Sequence, residues 1–193
     1  MINPYEIVAR VLAGFEAEPG EPPTKRTTAD GSRAVGVLRV PHCPAGGVDS
    51  WATVEASRFE TPFRTPDGRS VRVEFVAAID ARHDRFGDAL AASAFEIDPA
   101  NDVKPGTVYR DAVARAYPET TTPHLYSVSP FIWGSQIASY DDDEVHVTWL
   151  QLVPITDAEA QLVAEQGSAA LEAAFDRAQP DLFAIDRATV PLD

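Results

Sequence analysis

Trp149-Leu150-Gln151-Leu152-Val153-Pro154-Ile155, followed by Thr156-Asp157-Ala158-Glu159 and running on to Gln179, decides how this chain is read. From Val145 to Val153 both parities are apolar, with Val147, Trp149 and Val153 on one and Leu150 and Leu152 on the other. A strand that is apolar on both sides must be covered on both sides, so it belongs inside a sheet rather than at its edge. Thr156 and Glu159 then have the Thr-x-x-Glu spacing of a capping box, in which each side chain satisfies a free backbone N–H of the first helical turn. Ala158, Leu162 and Val163 give that helix an inward face, and Gly167 can take the left-handed conformation that ends it. Ser168 is placed to cap a second helix with the stripe Leu171, Ala174, Phe175 and Ala178, which Pro180 terminates.

Working outward, Asn3, Pro4 and Glu6 open an N-terminal helix over residues 3–17 as N-cap, first helical residue and capping carboxylate. Ile2 and Ile7 have staple spacing, and Ile7, Val8, Val11, Leu12 and Phe15 form one stripe. Pro19-Gly20-Glu21-Pro22-Pro23 stops the helix. Strands are expected over Ala34–Val40, Trp51–Phe59 and Ser70–Ile79, the last two forming a wide-looped hairpin around the turn Thr65-Pro66-Asp67-Gly68. Phe86, Leu90, Ala91, Ala94 and Phe95 predict a helix over Asp84–Ile97. Val108, Ala112, Val113 and Ala116 predict another, starting at Gly106-Thr107 and ending at Tyr117-Pro118. Leu125–Trp133 reads as a strand interrupted by Pro130, and the tail Asp181–Val190 as a segment packed on the body through Leu182, Phe183 and Ile185. The pattern is that of an α+β protein whose residues 1–193 make a single domain.

The 193 residues suffice for a sizeable core, and 45% hydrophobic with 24% charged residues exclude global disorder. Apolar runs such as Phe75-Val76-Ala77-Ala78-Ile79 are too short to cross a bilayer. The single cysteine, Cys43, excludes an intrachain disulfide, and Met1–Glu6 lacks the basic and apolar regions of a signal peptide, so a soluble, cytoplasmic protein is expected. Thirty acidic against sixteen basic residues give a net charge of −14, which repels phosphate backbones and attracts a basic partner. The expected partner is therefore another protein, with neither nucleic acid nor membrane.

No catalytic signature stands out. Gly-rich phosphate cradles and the Gly-x-Ser-x-Gly elbow are absent from the sequence. Cys43 beside His42 suggests a nucleophile and base, but neighbours on a strand point to opposite sides. His124 and His146 on neighbouring strands could approach each other, with the acidic run Asp141-Asp142-Asp143-Glu144 completing a hard-ligand metal site; no tight His-x-x-x-His spacing supports it. That run lacks the ligand alternation and turn glycine of a calcium loop. It reads as an exposed turn, and Asp141, Asp142, Asp143 and Glu144 are the candidate partner-docking residues. Tyr126, Phe131 and Trp133 read as core aromatics. No cofactor is expected.

The C-terminal run from Trp149 through Glu165-Gln166-Gly167-Ser168 to Ile185-Asp186-Arg187 resembles the suppressor of fused domain family. Ala52-Thr53-Val54, Glu74-Phe75-Val76-Ala77-Ala78, Pro105-Gly106-Thr107-Val108 and Pro123-His124-Leu125-Tyr126 with Pro130-Phe131-Ile132-Trp133 fit it in the same order, over about residues 34–190. Glu55 departs from it by standing where Gly is expected, so that strand is expected to lack a bulge or tight approach. The resemblance implies a central mixed, largely antiparallel sheet flanked by helices, and a binding rather than enzymatic role. Bacterial relatives are linked to polymorphic toxins as immunity proteins, so it also implies a cognate toxin as partner, and the negative charge is compatible with masking a basic one. The alternative, a metal-dependent enzyme or binder, rests on His124, His146 and the 141–144 loop.

Overall fold

A computed structural model describes residues 2–133 and 137–192. Among the described residues eight strands form one sheet: β1 (Thr24–Thr27), β2 (Ala34–Val40), β3 (Val48–Val54), β4 (Ser70–Asp80), β5 (Val108–Tyr109), β6 (His124–Val128), β7 (Tyr140–Asp141) and β8 (Val145–Ile155). Their order is β1-β2-β3-β4-β8-β6-β5, with β7 also on β8. Only the β4–β8 ladder is parallel, from Ser70↔Val145 to Val76↔Gln151; the others are antiparallel. The mixed, largely antiparallel sheet of an α+β fold is thus present, and β8 lies inside it. Trp51↔Ala77 places β3 and β4 in the expected hairpin.

Helices cover both faces. α1 (Pro4–Gly14) starts at Asn3, whose side chain accepts the Tyr5 N–H. It buries Ile7, Val11 and Leu12 with Val76, Ala78, Val147 and Trp149. α2 (Phe86–Phe95) buries Phe86, Leu90 and Ala94 on the opposite face with Trp51, Phe75 and Leu150. It lies so close that a Cβ on Gly87 would come within 3.0 Å of Trp51 and 3.1 Å of Val37. α3 (Asp157–Gln166) and α4 (Ser168–Ala178) contribute Leu162 and Leu171 to a third cluster with Tyr126, Val153 and Ile155.

Both arms of the expected capping box are present: Glu159 N donates to Thr156 Oγ1 at 3.3 Å and Thr156 N to Glu159 Oε2 at 2.9 Å. Gly167 has the expected positive φ, 85°, but its ψ of 171° is outside the left-handed helical region. Gly167, not Ser168, is the N-cap of α4, and no side chain caps it.

The helix expected from Gly106 does not form. Val108 and Tyr109 pair with Tyr126 and Leu125, Asp111 turns the chain at φ 56°, and residues 110–116 are turns. Ala112 and Val113 are buried all the same, with the Val113 and Ala114 N–H groups on the Pro123 carbonyl. The apolar spacing reports burial, not a helix.

After Val54 the backbone takes the left-handed conformation that favours glycine, although Glu55 stands there. Glu55 adopts φ 81° and leads into a 3₁₀ turn over Ala56–Arg58. The turn forms with a side chain in a glycine-type conformation, held from below by Glu74.

Candidate partner-binding surface

Where the β3–β4 ladder ends at Ala52↔Val76, side chains replace backbone pairing. Phe75 N donates to Thr53 Oγ1 at 2.8 Å, and Thr53 Oγ1 donates to Glu74 Oε2 at 2.6 Å. Glu74 also accepts the Ala56 N–H at 3.1 Å, the Ser57 N–H at 3.0 Å and the Ser57 hydroxyl at 2.6 Å. Burial pushes its carboxyl up to about 7, against the pull of these donors. Glu74 thus fixes the loop that carries Ser57 and Arg58 to one side of the acidic run.

Asp141 belongs to β7, opposite His146 on β8, so the run is the tip of a short hairpin. The four acids divide into two roles. Asp141 accepts from His146 Nδ1 at 2.7 Å, from Ser139 Oγ at 2.8 Å and from Arg69 Nη1, and these bonds hold its carboxyl well below the usual range. Asp142 Oδ1 accepts the Glu144 and Val145 N–H groups, each at 2.8 Å, which closes the turn and lowers its pKa. Asp143 and Glu144 are exposed and carry their charge outward. Glu144 lies beside an open cleft of about 520 Å³ shared with Ile2, Arg58 and Arg72.

The histidines do not meet. His124 is opposite Ile155 and His146 opposite Asp141, at the two ends of β8, roughly 30 Å apart by strand geometry. His124 is buried; its Nδ1 accepts the Asp111 N–H at 2.9 Å and its Nε2 faces Asp157 Oδ1 at 3.0 Å. Among the described residues no group of three or more His, Cys, Asp or Glu could hold a metal ion. The metal constellation suggested by the sequence is therefore not assembled.

His42 and Cys43 sit in a loop after β2. The Cys43 thiol is buried and donates to the Phe15 carbonyl at 3.4 Å, whereas His42 is exposed at φ 58°. Of the three aromatics assigned to the core, Tyr126 and Trp133 are buried, Trp133 stacking on Phe15 with centroids 4.5 Å apart. Phe131 is not; it is 58% exposed. Its position just after Pro130, where strand alternation stops, was the available sign that it need not face inward.

The model of the suppressor of fused protein family matches residues 31–188. The chain belongs to that family. Over 187 residues it is 28% identical to the immunity protein YqcF of Bacillus subtilis strain 168, covering 96% of each chain. A suppressor of fused homolog from Neisseria gonorrhoeae FA 1090 superposes with a TM-score of 0.65 at 17% identity, over 96% of this chain and 94% of that one. A chain of the Sufu–Fu complex superposes with a TM-score of 0.58 at 11% identity, over 90% of this chain and 83% of that one. Within the stretches that carry the family resemblance, Glu74 holds the turn after β3, and Glu159 with Arg187 joins the start of α3 to the C-terminal tail.

Proposed function

We propose that the chain is a non-enzymatic immunity protein that binds and neutralises a cognate toxin, and that the toxin is basic. The observation that carries this reading is the near full-length match to a protein named for immunity. Two physical features support it. The net charge of −14 favours encounter with a cationic surface. Asp143 and Glu144 stand on a hairpin tip whose shape is already set by Asp141 and Asp142, so presenting them to a partner costs little ordering entropy. The cytoplasm, where the toxin would act on the producing cell, is the proposed compartment.

The test is capture followed by rescue. The tagged chain is used to purify partners from lysate at low and moderate salt, and the captured basic protein is then expressed in a bacterial host with and without the chain. Growth arrest relieved by the chain supports immunity. A captured protein that is harmless, or whose toxicity the chain leaves unchanged, contradicts it.

A further inference from the structure

Beside α4 lies an apolar groove of about 190 Å³, large enough for one or two side chains. Val128 and Val153 of the sheet and Phe175 and Leu182 line it. It arises because Gln179, at φ 46°, and Pro180 end α4 and turn the chain away before the helix has covered the sheet. Phe131 stands at its mouth. The Phe131 N–H donates to the buried Gln151 Oε1 at 3.1 Å, so the backbone beneath the exposed ring is fixed to the sheet. Phe131 and Tyr5 are the exposed large hydrophobics among the described residues, and Phe131 borders this apolar recess.

The rim has one sign of charge. Glu172 and Asp176, one turn apart on α4, are exposed and border the groove. Glu172 Oε1 accepts the Tyr126 hydroxyl at 3.0 Å, which points this carboxylate at the sheet side of the opening. An apolar slot with a carboxylate rim selects an apolar side chain flanked by cations, because desolvating the slot and pairing the rim then occur together.

We infer that this groove docks a short segment of the partner protein in which an aromatic or long aliphatic side chain is flanked by Lys or Arg. The inference rests on the immunity reading only for the partner's biological role. The acidic hairpin tip would supply steering and the groove an anchor.

The probe is a hexapeptide with a central Phe-Leu pair between two arginines on each side, titrated into the isotopically labelled full chain by NMR. One control replaces the pair with Ser-Gly, and a second replaces the arginines with glutamates. The expected result is saturable shifts at Val128, Phe131, Val153 and Phe175 with the probe, and binding at least about fivefold weaker with either control. Phe131→Ser, a surface change that spares the core, is expected to weaken the probe by about fivefold or more. Glu172→Gln with Asp176→Asn is expected to remove most of the salt dependence. Equal binding of the Ser-Gly peptide, shifts confined to Asp143 and Glu144, or groove shifts that track protein concentration alone would overturn the inference, the last by assigning the groove to a second copy of the chain.

The two readings fail separately. A toxin neutralised equally by wild type and by Phe131→Ser with Glu172→Gln and Asp176→Asn removes the groove and leaves immunity standing. Probe binding at the groove with no neutralisation of the captured protein does the reverse.

Discussion

Glu159 and Arg187 form a bidentate ion pair with both side chains withdrawn from solvent: Nη1 lies 2.7 Å from Oε1 and Nη2 2.7 Å from Oε2. The same glutamate closes the capping box of α3 and accepts the Val190 N–H at 3.1 Å; the same arginine reaches the Pro154 carbonyl at 3.0 Å and lies over the Phe175 ring at 5.3 Å. One pair therefore ties the end of β8, the start of α3 and the C-terminal tail together. Arg187→Met leaves a buried carboxylate without its cation, and the expected loss is about 3–5 kcal/mol in a urea denaturation series. A loss under about 1 kcal/mol would show that the tail is not held by this pair.

Glu74 makes stability depend on pH. Its folded value, about 7, is raised above its ordinary 4.5. The contribution is therefore fully present below about 4.5 and is lost as pH rises through about 7, amounting to roughly 3 kcal/mol. Glu74→Gln does not titrate, so wild type is expected to lose about that amount of stability relative to this variant between pH 4.5 and 8. Parallel stability–pH curves for the two proteins would remove the account of Glu74.

Glu55 sits at φ 81°, where a side chain costs about 1 kcal/mol or more relative to glycine. Its pair with Arg58 is on the surface and offsets little of that. Glu55→Gly is expected to raise stability by about 0.5–1 kcal/mol in thermal melts. A lower melting temperature would show that the Arg58 pair, not backbone strain, dominates at this turn.

Trp149 is 4% exposed in the centre of the sheet, and its indole N–H donates to the Ala138 carbonyl at 3.2 Å. Trp149→Ala is expected to cost about 3–5 kcal/mol as a core aromatic deletion. A melting curve that barely moves would contradict its placement.

What the sequence made legible follows a physical line. β8 and the capping box of α3 were readable because each is encoded locally: a run buried on both faces has no polar parity, and Thr156 finds Glu159 within one turn. The Gly106–Ala116 segment carries helical spacing without a helix because Val108 is partly covered through pairing with β6 while Ala112, Val113 and Ala116 are buried by turns, and spacing cannot distinguish that from a helix. β1 was invisible because Thr24-Lys25-Arg26-Thr27 has no apolar residue; it is a strand through its pairing with β2. The exposed turn of the acidic run is legible from its composition, but the division into two structural and two outward carboxylates depends on His146, Ser139, Arg69 and two backbone amides. The roles of Glu74 and Arg187, and the groove beside α4, depend on residues distant in the chain and had no local signature.

The acidic tip is separable from the fold. Asp143→Lys with Glu144→Lys is expected to leave stability within about 0.5 kcal/mol of wild type, since neither carboxylate holds the turn. Affinity for a basic partner should fall and its salt dependence weaken. Unchanged affinity, measured by calorimetry at two ionic strengths, would retire the tip as a docking element.

Neutralisation is measured as the activity of the captured toxin titrated with the purified chain. Toxin activity is expected to be lost completely at one equivalent and restored by competing salt. Full toxin activity in the presence of excess, folded chain would contradict it.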